Sequence, residues 1–229
     1  MEPPISQKGG MHATSSRWDA GFSLSRRRYA GAMLAAALLL FSCIAAAAEA
    51  ALDPRLREQV VQVPLQVELE PQVLTATTYQ PPGEGPFPLV VLSHGSPGDG
   101  AVRAMMGRYR RLTQIEEFVK RGFAVIVPMR RGYGATGGRW AERYGGCAAP
   151  DYYRAGLEAQ KDLLATIAFA AKLPFVNPHR VVLVGQSAGG IASIAAASAS
   201  LEGVIGVVNF SGGRGGRTRT QASRVRPRT

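Results

Sequence analysis

Four apolar residues, Val181-Val182-Leu183-Val184, run directly into Gly185-Gln186-Ser187-Ala188-Gly189-Gly190, and small residues follow from 191 to 199. This stretch limits the fold more than any other. An unbroken apolar run of that length reads as a strand buried on both faces, as in a parallel sheet covered by helices. The pentad must then turn sharply from strand to helix. Such a turn holds its central serine in a strained backbone conformation and projects the hydroxyl above the sheet. Side chains two residues before or after the serine would clash there, which accounts for Gly185 and Gly189. The helix starts beneath Ser187, so its first N–H groups and its dipole favour a negatively charged oxygen at that point.

The rest of the chain supplies matching units. Residues 52–79 contain the alternating runs Val61-Gln62-Val63 and Leu65-Gln66-Val67-Glu68-Leu69-Glu70, which predict an antiparallel edge hairpin. Pro88-Leu89-Val90-Val91-Leu92-Ser93-His94-Gly95 reads as a buried strand ending in a turn. Leu112, Ile115, Phe118 and Val119 mark one face of a helix placed at 103–121 and closed by Gly122. Phe123-Ala124-Val125-Ile126-Val127-Pro128 is the next strand. Arg130 to Gly138 is a loop that builds a wall of the site or leaves its arginines solvated. The aromatic, glycine-rich segment 140–150 borders a pocket or packs on the surface. A helix over 151–173 is capped by Asp151, with Leu163, Leu164, Ile167, Ala168 and Ala171 as its apolar stripe. Val204 to Phe210 is the strand after the nucleophile helix. Strands alternating with helices from Leu89 onward give a doubly wound, mostly parallel α/β sheet.

Gly-x-Ser-x-Gly in this strand–turn–helix setting, His94-Gly95 after a strand, and Arg131-Gly132-Tyr133-Gly134 together resemble the α/β-hydrolase superfamily, specifically its dienelactone-hydrolase-like members. The resemblance covers roughly residues 60–216. It implies a site at the carboxyl ends of the strands, where Ser187, Gly95 and Gly132 fall. It implies cleavage of a small-molecule ester or lactone through an acyl-enzyme on Ser187. The oxyanion hole would be the N–H of Ala188 with a second donor from the Gly95 loop, assigned to Ser96 because Pro97 has no N–H. His94 would hold that loop rather than act as base. His179 lies at the far end of the nucleophile strand, roughly 20 Å from Ser187 at ~3.3 Å per residue. No cofactor and no metal are implied, since His12, His94 and His179 show no ligand spacing.

The chain departs from that pattern in three places. Met129 stands where an acid often precedes the arginine, no histidine follows Ser187, and Glu202 is the only later acid. The expectation is therefore an α/β-hydrolase-like fold with an incomplete C-terminal part, from a truncated or frame-altered chain. Its activity would be very low unless another chain supplies the base, and its last apolar strand would promote self-association. Residues 1–50 read as an extension plus a signal peptide: Arg26-Arg27-Arg28 precedes an alanine-rich apolar tract from Ala30 to Ala48. That predicts export to the periplasm or outside the cell, or a membrane anchor if the segment is not cleaved. Residues 51–213 form the domain and 214–229 a basic, disordered tail. Much of the net charge of +11 sits in that tail, which holds six arginines and no acid, so no specific nucleic-acid surface is expected. Cys43 falls in the export segment, leaving Cys147 as the domain's one thiol.

Overall fold

A computed structural model describes residues 51–146 and 148–213. The export segment, Cys147 and the arginine-rich tail lie outside the described residues.

Six strands form one sheet: β1 (Gln59–Val67), β2 (Glu70–Tyr79), β3 (Phe87–Ser93), β4 (Ala124–Pro128), β5 (Val176–Gln186) and β6 (Val204–Phe210), in the spatial order β1-β2-β4-β3-β5-β6. β2 pairs antiparallel with both β1 and β4, and every other pairing is parallel. Among the described residues four α-helices accompany them: α1 (Gly100–Ala104), α2 (Leu112–Lys120), α3 (Tyr152–Ala170) and α4 (Ala188–Ala197).

The central strands carry their apolar residues to both faces by simple alternation. Leu89 and Val91 of β3, Ala124 and Ile126 of β4, and Val181 and Leu183 of β5 pack in one cluster with Ala159 and Leu163 of α3 and Ala192 and Ala196 of α4. Their neighbours Val90, Leu92, Val125, Val127 and Val184 pack in a second cluster with Ile115 and Val119 of α2. A strand covered on both faces can afford no polar position, so these strands appear as continuous apolar runs. β6 is covered less well: Ile205 is 59% and Phe210 51% exposed.

Four expectations need correction. The antiparallel edge hairpin expected within 52–79 is present as β1 and β2, but the alternating runs over 61–70 are not its two strands, because both fall largely on β1. Pro64 in mid-run did not end the strand, because β1 is an edge strand. The helix expected at 103–121 is two helices, interrupted at 105–111. There Arg108 and Arg110 turn inward to the buried Glu58, at 2.7 and 2.5 Å. The buried stripe of α3 is Ala155, Gly156, Ala159, Asp162, Leu163, Thr166 and Ala170, rotated from the expected one, and Ala168 faces solvent. Finally, Arg130 and Arg131 are not solvated: they are 0% and 5% exposed.

Candidate active site

The parallel pairing of Ser93 with Gly185 brings the carboxyl ends of β3 and β5 side by side. This is where the first residues after each strand can meet. Ser187 follows β5 with φ 54° and ψ −120°, a conformation that L side chains rarely adopt. Backbone bonds hold it there. Its N–H donates to Phe210 O at 2.8 Å, and its carbonyl accepts from Gly190 N at 2.9 Å and Ile191 N at 3.2 Å. The turn is close enough to exclude side chains on either side. A Cβ at Gly185 would lie 2.0 Å from Gly189 O, and one at Gly189 would lie 2.1 Å from Ser93 O. Gly95 differs: a Cβ there would sit 3.5 Å from the Ser187 Cβ, so space alone does not require glycine at that position.

Ser187 is exposed and opens into a cleft of about 290 Å³. Ser96, Pro97 and Ala188 line it with the serine, as do Trp140, Tyr144 and Tyr152. Segment 140–150 therefore borders the pocket, one of the two roles its composition allowed.

A set of buried charges supports the loop that carries Ser96. Arg130 donates through Nη1 to Ser93 Oγ and to His94 O, both at 2.8 Å. Its Nε and Nη2 bind the two carboxylate oxygens of Glu142, Nη2 at 3.2 Å. Glu142 also accepts from Tyr133 Oη at 3.0 Å, and Tyr133 Oη accepts from Trp140 Nε1 at 3.0 Å. Burial and the adjoining Glu142 push the Tyr133 phenol up to about 12, so it stays protonated. Burial opposes the charge on Arg130, but Glu142 more than offsets it and keeps the guanidinium protonated. Arg131 turns to the other side, its N–H and Nε donating to Asp162 at 2.8 and 2.5 Å. Burial pushes that carboxyl up to about 6, against the pull of Arg131.

His94 is fully buried in the same set. The Arg130 backbone N–H donates to its Nε2 at 3.2 Å, so that nitrogen must be the acceptor. The proton therefore sits on Nδ1, 2.7 Å from Gly95 O. Burial and then the Arg130 charge hold its pKa well below the usual histidine range. With both nitrogens engaged, His94 fixes the loop and has no lone pair free for Ser187. His179 is 74% exposed and 3.9 Å from Glu202. Among the described residues no carboxylate or imidazole is seen hydrogen-bonded to the Ser187 hydroxyl, and no group of acids, histidines and cysteines could hold a metal ion.

Of the residues that the sequence singled out, Ser187, Ala188 and Ser96 line one cleft, while Gly185 and Gly189 pack against the backbone around the turn. Sequence reasoning gave no role to Glu142 or Asp162, and named Arg130 and Tyr133 only as members of a loop. No local pattern marks them, because each is defined by a partner 9 to 37 residues away.

Residues 110–202 match the prolyl oligopeptidase family. The chain is 31% identical over 160 residues to the quorum-quenching protein AidA of Acinetobacter baumannii, an alignment covering 67% of this chain and 46% of AidA. It thus spans about half the length of that curated relative. Among solved structures, Porphyromonas gingivalis dipeptidyl peptidase 4 shares the fold with a TM-score of 0.50 and 19% identity, over 67% of this chain and 20% of that one. A doubly wound, mostly parallel sheet with an exposed serine at the strained turn between β5 and α4, together with these likenesses, places the chain in the α/β-hydrolase superfamily.

Proposed function

We propose that the chain carries the nucleophilic half of a serine hydrolase acting on a carboxylic ester or lactone. One observation carries the reading: Ser187 is held at φ 54°, exposed, in a cleft that Ser96 and Ala188 share. Ser187 Oγ attacks the carbonyl carbon. The carbonyl oxygen gains charge and is met by the N–H groups of Ala188 and Ser96, with the N-terminus of α4 adding its dipole. Collapse expels the alcohol and leaves an acyl-serine, which water hydrolyses. A serine hydroxyl needs a base to lose its proton. His94 is committed to Arg130 and Gly95, so the base comes from outside the described residues, and turnover by this chain alone is very low. The amino-terminal segment suits export, with membrane contact only if it stays attached.

The test is covalent labelling of the purified chain by a fluorophosphonate, with imidazole added as an external base. Labelling that disappears in Ser187→Ala supports the reading. No labelling, with a small ester still bound in the cleft, would favour a ligand-binding protein without catalysis. The prolyl oligopeptidase match favours a second reading, in which the scissile bond is a peptide amide. Comparing acyl-serine formation from an activated ester and from a peptide amide separates the two.

A further inference from the structure

The cleft has two unlike parts. Beside Ser187 it is backbone and small polar groups. Elsewhere in the lining three rings form one wall: Trp140 meets Tyr144 edge to face with centroids 5.7 Å apart, and Tyr144 meets Tyr152 at 5.0 Å. The wall is fixed before any ligand arrives. Trp140 Nε1 is bound to Tyr133 Oη at 3.0 Å. The Arg103 guanidinium lies 3.7 Å over the Trp140 ring, and its Nη1 also donates to Pro97 O at 2.8 Å and Gly98 O at 3.0 Å. One side chain thus ties the aromatic wall to the loop carrying Ser96. The cleft lining also includes Ala155 and Ala159, one turn apart on α3, whose small side chains take up little of its volume. Glu142, the one acid lining the cleft, is neutralised by Arg130 and offers little to a cation.

We infer that this wall is a subsite for a planar, apolar ring on the substrate, so that the ester or lactone cleaved bears an aromatic or similarly flat group next to its carbonyl. The inference rests on Ser187 being the nucleophile. Rings prefer ring partners in offset or edge-to-face contact, and a wall already held in place costs little entropy on binding. An aliphatic chain of equal size gains the burial but not the ring contacts.

The test uses the full chain with imidazole added as an external base, and two sulfonyl fluorides, phenylmethanesulfonyl fluoride and butanesulfonyl fluoride, each read as the rate of Ser187 modification by mass spectrometry. Their reactive groups are alike; one side group is a ring and the other a chain. The phenyl reagent is expected to react faster by roughly two- to tenfold, the range that a ring contact adds beyond burial. The preference should vanish in Tyr144→Leu. Ala155→Met, which puts a longer side chain into the cleft lining, should remove it independently. If the wild type reacts with both reagents at equal rates, or prefers the chain, the subsite is refuted whatever the variants do. If a fluorophosphonate and both sulfonyl fluorides leave Ser187 unmodified, the nucleophile assignment itself fails, and the subsite with it.

Discussion

The ion pair between Arg130 and Glu142 is the most informative place to perturb this molecule. The Arg130 side chain is 0% exposed and the Glu142 side chain 5%. Glu142→Gln keeps the shape and removes the charge. It leaves a buried guanidinium whose Nη1 still reaches Ser93 and His94 but whose remaining donors face a neutral amide. Removing one partner of a buried pair costs about 3–5 kcal/mol. With a urea slope of about 2 kcal/mol per molar for a domain of this size, the unfolding midpoint should fall by roughly 1.5–2.5 M. Arg130→Met with Glu142→Leu removes both charges and should recover part of that loss. Recovery is incomplete, because Ser93 Oγ and His94 O each lose a donor at about 1–3 kcal/mol. Arg130→Lys tests the fork rather than the charge: one ammonium cannot reach Ser93, His94 and Glu142 together. Its stability should fall less than that of Glu142→Gln, while fluorophosphonate labelling of Ser187 slows as the loop loses its anchor. The readouts are urea unfolding by circular dichroism and labelling rate. A loss below about 1 kcal/mol in Glu142→Gln would mean that the pair is solvated, and the account of how the Ser96 loop is held would be wrong.

Three other outcomes are expected. Gly189→Ala puts a methyl 2.1 Å from Ser93 O, so β3 or the turn must move; thermal unfolding should show a loss of at least about 1–3 kcal/mol, with labelling abolished. Burial alone would raise the Glu58 carboxyl, but hydrogen bonds from Arg110, the Asp53 amide, Arg108 and Tyr79 bring it below its usual value of 4.5. A lowered folded-state pKa gives stability that is complete above the unfolded value and lost as pH falls through the folded one. The wild-type urea midpoint should therefore drop more between about pH 5 and pH 3 than that of Glu58→Gln, and equal slopes would refute the assignment. On β6, Ile205→Lys should reduce self-association in light scattering, since Ile205 is 59% exposed on a strand with one neighbour; an unchanged profile would clear that strand.

What could be read from the sequence was whatever a short window determines. β6 has the bounds its apolar run suggested, and β5 and α4 flank Ser187 because valines and small residues on either side of two glycines permit little else. The misreadings share one physical cause. Charged residues are assigned to solvent by default, and in this chain several are interior. Asp162 broke the apolar count on α3 and shifted its stripe, although it faces inward to Arg131, 31 residues away. Arg108 and Arg110 interrupt a helical stretch because Glu58 draws them in from about 50 residues earlier. Arg130, for which the sequence left a wall or a solvated position open, is the largest side chain sealed in the core. A buried charge is tolerated only when its partner is present, and the partner is set by tertiary structure rather than by spacing. The nucleophile could thus be located from ten residues, whereas the charges that hold the loop beside it become visible only once β3, the 130–142 segment and α3 are folded together. Substitutions at those charges should therefore weaken the fold and the reactivity of Ser187 in step, which separates them from Tyr144→Leu on the aromatic wall, where the side chain is half-buried and the choice of reagent changes more than the stability.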